Sequence, residues 1–380
     1  MLGPVTLKGS MYCADKSSHW ISFTGPALPL HRQSSLGRSS LPKHPRLRHC
    51  GQCTEPGREV IRGENEIESQ RDGKDRFRWS QATVIENYEA SADGSVRGLV
   101  LSVSDAVVYA DGRRVRHVQK ARRWLDDYKA PGQCVAVKYK KVTENSIKSE
   151  NGSGNLDSMH VASRLFGLGT SPYEARSSSA TLDAAIVELV VDQKNDESLA
   201  AMEPGSLLHV SQVLGRGFTS LFNSHIGIQS ALEEGRPLLM IAVGSRGIAP
   251  VRAALNWTPV LAHASTHPCS LFYVMNGSSS LASAAYLVEW DAWREAGVQV
   301  NPIPVESDYE VSSSNLLSAL ENALFHEHHG LLGCLGKRQP GEAAVILSGV
   351  PRVVAAQLTR RLTQAGIQSE QLLVSDCEFP

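Results

Sequence analysis

Long apolar runs are missing from this chain of 380 residues. No run approaches the roughly 18 residues that a membrane-spanning helix needs, so we expect no membrane span. Cysteines are few: there are seven, and Cys50 and Cys53 form a CxxC pair without the second pair that a zinc ribbon requires. Their odd number and loose spacing argue against a disulfide framework. A Gly-x-Ser-x-Gly sequence is also absent, which argues against the nucleophile elbow of an α/β-hydrolase.

Acidic residues are nearly absent from the start of the chain. Residues 1–54 contain only Asp15, and the first 60 residues carry 8 Lys/Arg against 3 Asp/Glu, in a chain of net charge −1. A basic, serine-rich and acid-poor segment without an apolar core is typical of an organelle transit peptide. We therefore interpret residues 1–70 as a transit peptide or disordered leader, and we predict the chloroplast stroma ahead of the mitochondrion. A plain disordered tail is the alternative.

Two different patterns follow the leader. Short apolar runs separated by turns occupy residues 76–233 and predict an antiparallel β-barrel domain. The predicted strands of this domain are 83–85, 96–103, 134–139, 161–172, 184–191 and 206–213. A short helix over 195–202 is predicted to begin at Asn195 as its N-cap.

Residues 236–380 alternate strands with helical segments, which predicts a parallel α/β domain. The predicted strands are 238–243, 270–275, 299–302 and 344–347, and the predicted helices are 250–255, 281–296, 313–327 and 353–365. The strongest local signal is LLMIAVGSRGIAPVRAAL over 238–255, a buried strand, a turn at 244–247 and a helix beginning near Pro250. The N–H groups at such a helix start attract phosphate, which suggests a phosphate-binding site. The alternative is a turn with the purely structural role of packing the helix against the strand.

Four stretches in this order resemble the ferredoxin–NADP reductase-like superfamily, most closely its plant plastid FAD/NAD(P)-binding branch. The first, Arg164-Leu165-Phe166-Gly167, resembles the family's Arg-x-Tyr-Ser motif. The resemblance implies that Arg164 binds an FAD phosphate and that Phe166 packs on the isoalloxazine ring. Gly167 stands where the family has a serine near flavin N5, so its backbone N–H would replace that hydroxyl.

The second stretch is the helix start around Asn195 and Ser198, where the resemblance places the FAD pyrophosphate. The third runs from Gly244 through Ser245, Arg246 and Gly247 to Ile248-Ala249-Pro250 and resembles Gly-Thr-Gly-Ile-Ala/Ser-Pro, which implies dinucleotide binding. The fourth, from Ser348 and Gly349 to Pro351, resembles the Cys-Gly-Pro strand end beside the nicotinamide. Phe379 lies where some members stack an aromatic ring on the flavin.

One family feature is missing beyond the second strand of the α/β domain. Many members carry an arginine there for the NADP 2′-phosphate, whereas this chain reads Met275-Asn276-Gly277-Ser278. The choice between NADH and NADPH therefore stays open. The tract from His326 to His329 is expected to be a surface loop, and no metal site is predicted.

The resemblance implies an FAD-dependent oxidoreductase that passes hydride from NAD(P)H to flavin N5 and on to an unidentified acceptor. The expected cofactors are FAD and NAD(P)H, and hydride transfer requires no acid or base residue. An acidic electron carrier such as ferredoxin is a candidate partner for the basic segment 111–126, which a solvated face would equally explain. We expect no nucleic-acid partner. The alternative is a catalytically weak nucleotide-binding or scaffold protein, because five positions depart from the family pattern: Gly167, Ser245, Arg246, Ser348 and Met275.

Overall fold

The computed structural model describes residues 77–108, 114–115, 123–140, 161–179, 184–276, 281–305, 312–326 and 330–375. The predicted leader with Cys50 and Cys53, most of the basic segment, Gly277, Ser278, residues 327–329 and Phe379 lie outside these ranges. The chain divides into Met1–Gly63 and Glu64–Pro380, and every described residue belongs to the second unit.

An antiparallel sheet forms the first part of this unit. Its strands are β1 (Trp79–Glu89), β2 (Val96–Val108), β3 (Arg114–Val115), β4 (Cys134–Lys140), β5 (Val161–Gly167), β6 (Ala184–Asp192) and β7 (Leu207–Ser211). They pair in the order β3-β2-β1-β7-β4-β5, and β6 pairs with β2. A bridge between Leu168 and Leu189 brings the end of β5 to β6, so the sheet curls into a barrel. The predicted antiparallel barrel is confirmed.

Every second side chain of the strands points into the barrel and fills its interior. Leu99, Leu101 and Val103 of β2 are fully buried, as expected where every second side chain of a strand points to one face. Helix α1 (Pro172–Ser179) follows β5, so the strand predicted to reach residue 172 ends at Gly167 instead. Pro172 begins this helix, where its missing N–H has no partner to lose.

Helix α2 (Glu197–Ala200) is shorter than predicted, and its N-cap is Asp196 rather than Asn195. The Asp196 side chain caps no backbone N–H of the helix. Its carboxylate instead accepts hydrogen bonds from Tyr139 and Arg164, two residues that are distant in the sequence. The prediction of Asn195 as N-cap was wrong because the helix begins at Glu197, one residue later than that cap requires.

A second, mainly parallel sheet follows. Its strands are β8 (Thr219–Ser220), β9 (Leu238–Val243), β10 (Cys269–Asn276), β11 (Val298–Val305), β12 (Ala344–Ser348) and β13 (Leu372–Val374). The order is β11-β10-β9-β12-β13-β8, and only the pairing of β8 with β13 is antiparallel. The chain order reverses between β9 and β12, which makes their carboxyl ends the topological switch point of the sheet. The predicted parallel α/β sheet is confirmed, whereas the domain division between 233 and 236 stays a prediction.

Helices cover both faces of this sheet. They are α3 (Ile228–Glu233), α4 (Gly244–Leu255), α5 (Thr258–Ala264), α6 (Trp290–Glu295), α7 (Ser313–Glu321), α8 (Leu331–Leu335) and α9 (Arg352–Gln364), and a π-helical turn over Asn322–His326 extends α7. Side chains of α4, α5 and α6 share one core with Met240 and Ala242 of β9. Side chains of α7, α8 and α9 share the opposite core with Leu239 and Ile241.

Two helix predictions are corrected. Helix α4 begins at Gly244, so the predicted turn is its first turn and Pro250 lies inside it, without an N–H to donate to the carbonyl of Arg246. The helix predicted over 281–296 is broken into two short 3-10 turns, Leu281–Ser283 and Leu287–Glu289, followed by α6. The break is at Tyr286, whose backbone has φ of 60°, a conformation that costs a non-glycine residue roughly 1–3 kcal/mol.

A buried polar network joins the barrel to the α/β sheet. Arg252 of α4 donates to Glu188 Oε2 of β6 at 3.0 Å and to both carboxylate oxygens of Glu289 at 2.7 to 3.0 Å. Tyr88 and Tyr286 donate their hydroxyl protons to Glu188 Oε1 at 2.6 and 2.5 Å. Burial and the Glu188 charge raise the pKa of both tyrosines, so both keep the protons that they donate.

Glycines allow the ends of β9 and β12 to approach the first turn of α4. A Cβ on Gly349 would lie 2.3 Å from the Val243 carbonyl oxygen and 2.6 Å from Gly247 Cα. A Cβ on Gly247 would lie 2.4 Å from the Ser348 carbonyl oxygen. These contacts are too close for any side chain, so the shape of the switch point depends on both glycines.

We expect Arg252→Met to lower the free energy of unfolding by roughly 3–5 kcal/mol, because it leaves the Glu188 carboxylate buried without its cation. Urea unfolding would measure the loss. Arg338→Met is the matched control, since its ion pair with Glu342 is half exposed and should contribute less than about 1 kcal/mol. Equal losses in the two variants would contradict the role given to Arg252.

We expect Gly349→Ala to destabilise the protein by roughly 1–3 kcal/mol more than Gly336→Ala, which is the cost of overpacking. Gly349 and Gly336 have similar φ angles of 70° and 62°, but a Cβ on Gly336 would meet nothing within 4 Å. Both variants place alanine at a positive φ, and thermal unfolding compares their stabilities. A smaller loss at Gly349 would show that the crevice relaxes around the added methyl group.

Candidate functional site

At the switch point, we use the word crevice for the space outside the carboxyl ends of β9 and β12, beside the first turn of α4. Helix α4 is 12 residues long, so the free N–H groups of its first turn and its dipole favour an anion here. A Cβ on Gly244 would meet nothing within 4 Å, in contrast to the crowded Gly247 and Gly349. A side chain at Gly247 or Gly349 would therefore clash with the protein, whereas a Cβ at Gly244 would lie in open space.

Ser348 brings a polar atom to the same crevice. Its Oγ is fully buried and has no hydrogen-bond partner among the residues that the structure describes. On β12 it shares a face with Ala344 and Ile346, which belong to the core on the α4 side, so its side chain faces α4. An unpaired buried hydroxyl costs roughly 1–3 kcal/mol, a cost that a polar ligand group in the crevice would offset.

The barrel and the crevice meet directly. Helix α4 packs against β5 and β6 of the barrel as well as against β9, β10 and β12 of its own sheet. At the contact, a Cβ on Gly167 would lie 2.4 Å from Pro250 Cγ. The glycine at 167, where the resembled family has serine, is thus required by the packing of α4 on the barrel. The predicted sites around Arg164 and Gly244 lie on elements that touch.

Arg164 is held by a cluster at the edge of the barrel. Its Nη1 donates to the Asn195 carbonyl oxygen at 3.1 Å and to the Asp196 carboxylate, which also accepts from the Tyr139 hydroxyl at 2.9 Å. The Asp196 side chain is 3% exposed, whereas that of Arg164 is 42% exposed. Burial and the hydrogen bond to Asp196 raise the pKa of Tyr139 to about 12, so this phenol stays neutral.

This pairing uses only part of the guanidinium. Arginine has five N–H donors in a planar fork, and within the described ranges only Nη1 of Arg164 has a partner. The Arg164 side chain is partly exposed. Arg164 is therefore anchored at one nitrogen and open to a phosphate at the others.

Three other predicted residues, and Met275 where the family arginine is missing, are less well placed for a ligand. Phe166 is 6% exposed within the barrel core, so little of its ring is open. Asn195 is exposed and contributes its carbonyl to Arg164, and Ser198 is half-buried in the first turn of α2. Met275 is buried in the core of the second sheet. Since α2 has four residues and begins with Asp196 and Glu197, its start provides little attraction for a phosphate.

The first turn of α4 supplies the remaining predicted residues. Gly244 and Ser245 are half-buried, Gly247 is buried and Arg246 is exposed. Arg246 forms no ion pair with any residue in the described ranges, and its positive charge acts on Tyr139 of the barrel.

The sequence analysis missed most of the polar partners in this region: Tyr88, Tyr139, Glu188, Asp196, Arg252, Tyr286 and Glu289. One signal was available, because Glu188 interrupts the apolar run 184–191, and a charge inside a buried strand requires a partner. The others depend on contacts between residues that are far apart in the chain.

Two negative findings concern only the part of the chain that the structure describes. No group of three or more His, Cys, Asp or Glu side chains there could hold a metal ion. No helix there combines the length and apolar character needed to cross a membrane.

No protein-family profile matches the chain, and no curated protein matches its sequence. Solved structures are similar to it at low identity. The flavohemoglobin of Malassezia yamatoensis, determined with bound FAD and heme, has 13% identity and a TM-score of 0.47, over 78% of this chain and 59% of the flavohemoglobin. This chain therefore spans less than two thirds of that protein.

Two further structures show the same degree of similarity. An Amycolatopsis cytochrome P450 reductase has 14% identity and a TM-score of 0.45, over 79% of this chain and 69% of the reductase. The ferredoxin–NADP+ reductase of Plasmodium falciparum has 10% identity and a TM-score of 0.47, over 78% of this chain and 95% of the reductase.

Proposed function

We propose that this chain is an FAD-dependent oxidoreductase that uses NADH or NADPH. The observation that carries the proposal is the contact between the two motif regions: Pro250, in the third resembled stretch, packs on Gly167, in the first. Two flat cofactors bound at these places would meet between the two sheets. The names of the similar solved structures agree with this class of protein.

The residues present fit the two cofactors at their charged and polar positions. Arg164 would hold a flavin phosphate with the free part of its guanidinium. The open backbone at Gly244 and the start of α4 would take the nicotinamide dinucleotide, with the unpaired Ser348 hydroxyl beside it. Bound flavin supplies the hydride acceptor at N5, and the protein supplies binding, orientation and electrostatics.

Positioning is the main contribution that this chain would make to the reaction. Holding two reacting rings in a productive stack lowers a barrier by up to roughly 7–11 kcal/mol. The network of Arg252 with Glu188 and Glu289 fixes α4 on the barrel, and so fixes the crevice relative to Arg164. No proton-transfer residue is assigned, because hydride transfer requires none.

The proposal also includes the electron acceptor and the location of the protein in the cell. An acidic electron carrier such as ferredoxin would receive the electrons, docking at the basic segment 111–126. The basic, acid-poor leader supports import into a plastid.

A second candidate function is a nucleotide-binding or scaffold protein with weak catalysis. The observation that favours it is the pairing of Arg164 with the buried Asp196, which offsets the charge that a flavin phosphate would need. Glu197 in the first turn of α2 adds a further carboxylate to the same place. Binding and reduction of flavin separate the two candidates.

We expect the full-length protein to bind added FAD and to show flavin absorbance between about 350 and 500 nm. Anaerobic mixing with NADH or NADPH in a stopped-flow instrument should bleach this absorbance, and the faster nicotinamide identifies the donor. A protein that stays colourless after incubation with FAD would remove the proposal. Binding of FAD without bleaching by either nicotinamide would favour the second candidate.

We expect Arg164→Met to weaken FAD binding about 10- to 100-fold, since a hydrogen bond to a charged group contributes about 1.5–3 kcal/mol. Fluorescence titration with FAD measures the dissociation constant. Arg360→Met on the exposed surface of α9 is the control, because it removes the same charge away from the site. Unchanged FAD affinity in the Arg164 variant would show that Asp196 retains the whole guanidinium.

A further inference from the structure

Arg164 offers a ligand only part of its guanidinium. Its Nη1 donates to the Asn195 carbonyl oxygen at 3.1 Å and to the Asp196 carboxylate, and the Arg164 side chain is 42% exposed. The planar fork of an arginine matches the oxygens of a single phosphate group. Arg164 therefore suits one flavin phosphate, and a second phosphate must find its partners elsewhere.

The second phosphate of FAD is expected near Asn195 and Ser198, where backbone groups already have partners within the protein. Asp192 Oδ1 accepts hydrogen bonds from the N–H groups of Lys194 and Asn195 at 3.0 and 3.1 Å. The N–H group of Asp196 donates to the Asp192 carbonyl oxygen at 2.9 Å. A phosphate at this place would have to displace these hydrogen bonds.

The charge at the start of α2 also opposes a second phosphate. Asp196 is the N-cap and Glu197 is the first residue of a helix that has only four residues, so the helix dipole offers little compensation. The side chains of this segment, together with Arg164, comprise three carboxylates and two cations: Asp192, Asp196, Glu197, Lys194 and Arg164. Arg246 acts on Tyr139 through its charge, but among the described residues no hydrogen bond or ion pair joins Arg246 to this segment.

Helix α4 shows a favourable phosphate position in the same chain. It has 12 residues, its first turn has no acidic residue, and a Cβ on Gly244 would lie in open space. Helix α2 differs from it in both length and charge. The start of α4 is therefore suited to an anion, whereas the start of α2 is not.

We propose that the flavin site recognises a single phosphate and makes little use of the adenylate half of FAD, so that FMN serves as well as FAD. This inference rests on the proposed function and names the class of flavin that the site takes. FMN keeps the charge of its phosphate monoester, about −1.5 to −2 at neutral pH, beside Arg164. FAD instead carries part of its charge to the acidic start of α2.

The test compares riboflavin, FMN and FAD on the full-length protein by fluorescence titration at one pH and ionic strength. We expect the dissociation constants of FMN and FAD to agree within about threefold. Riboflavin should bind roughly 10- to 100-fold more weakly than FMN, because it lacks the phosphate that Arg164 binds. Arg164→Met should remove this difference between FMN and riboflavin.

A second variant, Glu197→Gln, tests the acidic helix start. Glu197 is exposed, so the variant should fold like the wild type. We expect FAD to bind about two- to fivefold more tightly to it, with FMN and riboflavin unchanged, since only FAD extends a phosphate to α2. The control is Glu295→Gln, at the exposed end of α6, which packs on β11; it should change none of the three affinities.

Each result has a distinct meaning. Similar affinities for FMN and FAD, with a selective gain for FAD in Glu197→Gln, support the inference. FAD bound about 100-fold more tightly than FMN overturns it, as does FMN bound no more tightly than riboflavin. An equal gain for FMN and FAD in Glu197→Gln also overturns it, because Glu197 would then act on the phosphate that both share. Failure of all three flavins to bind is a separate outcome that removes the proposed function itself.

Discussion

Arg252 is buried in α4, and carboxylates from both parts of the molecule hold its guanidinium. Glu188 comes from the barrel and Glu289 from the segment before α6, while the Tyr286 ring lies 4.4 Å from the guanidinium carbon. Burying a carboxylate is costly unless a cation and hydrogen-bond donors accompany it, and Glu188 has all of these. The same network holds Tyr286 in its strained backbone conformation. The position of α4, and with it the crevice, therefore depends on this network.

The position of α4 explains several of the residues that differ from the resembled family pattern. Gly167 leaves no room for a side chain, because Pro250 occupies the space where a serine would project. Ser348 keeps a polar atom at the end of β12 although the family has cysteine there. Arg246 is on a turn in which Gly247 has no room for a side chain and Gly244 has a positive φ. These substitutions fit the local packing, so their number is not by itself a sign of a lost site.

The sequence patterns predicted the elements that depend on interactions between residues close together in the chain. The continuous apolar run fixed β9 with the predicted bounds, since a strand buried on both faces must be apolar throughout. The break in the predicted helix at Tyr286 escaped prediction because its hydroxyl is held by Glu188, which is 98 residues earlier. The contacts of Asp196 were not predicted for the same reason, because its partners Tyr139 and Arg164 are on the distant strands β4 and β5. The motif residues were found, but the charged groups that support them were not.

The pairing of Asp196 with Arg164 is compatible with both candidate functions, and geometry favours one. A carboxylate that claimed the whole guanidinium would meet it side-on with two hydrogen bonds, as Glu289 meets Arg252. Asp196 instead contacts Arg164 through Nη1, while Tyr139 donates to the same carboxylate oxygen. Arg164 and Tyr139 thus offset the cost of burying the Asp196 carboxylate. The same contact holds the rest of the Arg164 guanidinium in one orientation. An arginine fixed in this way loses less side-chain entropy when it binds a phosphate, so the pairing prepares the site as well as offsetting its charge.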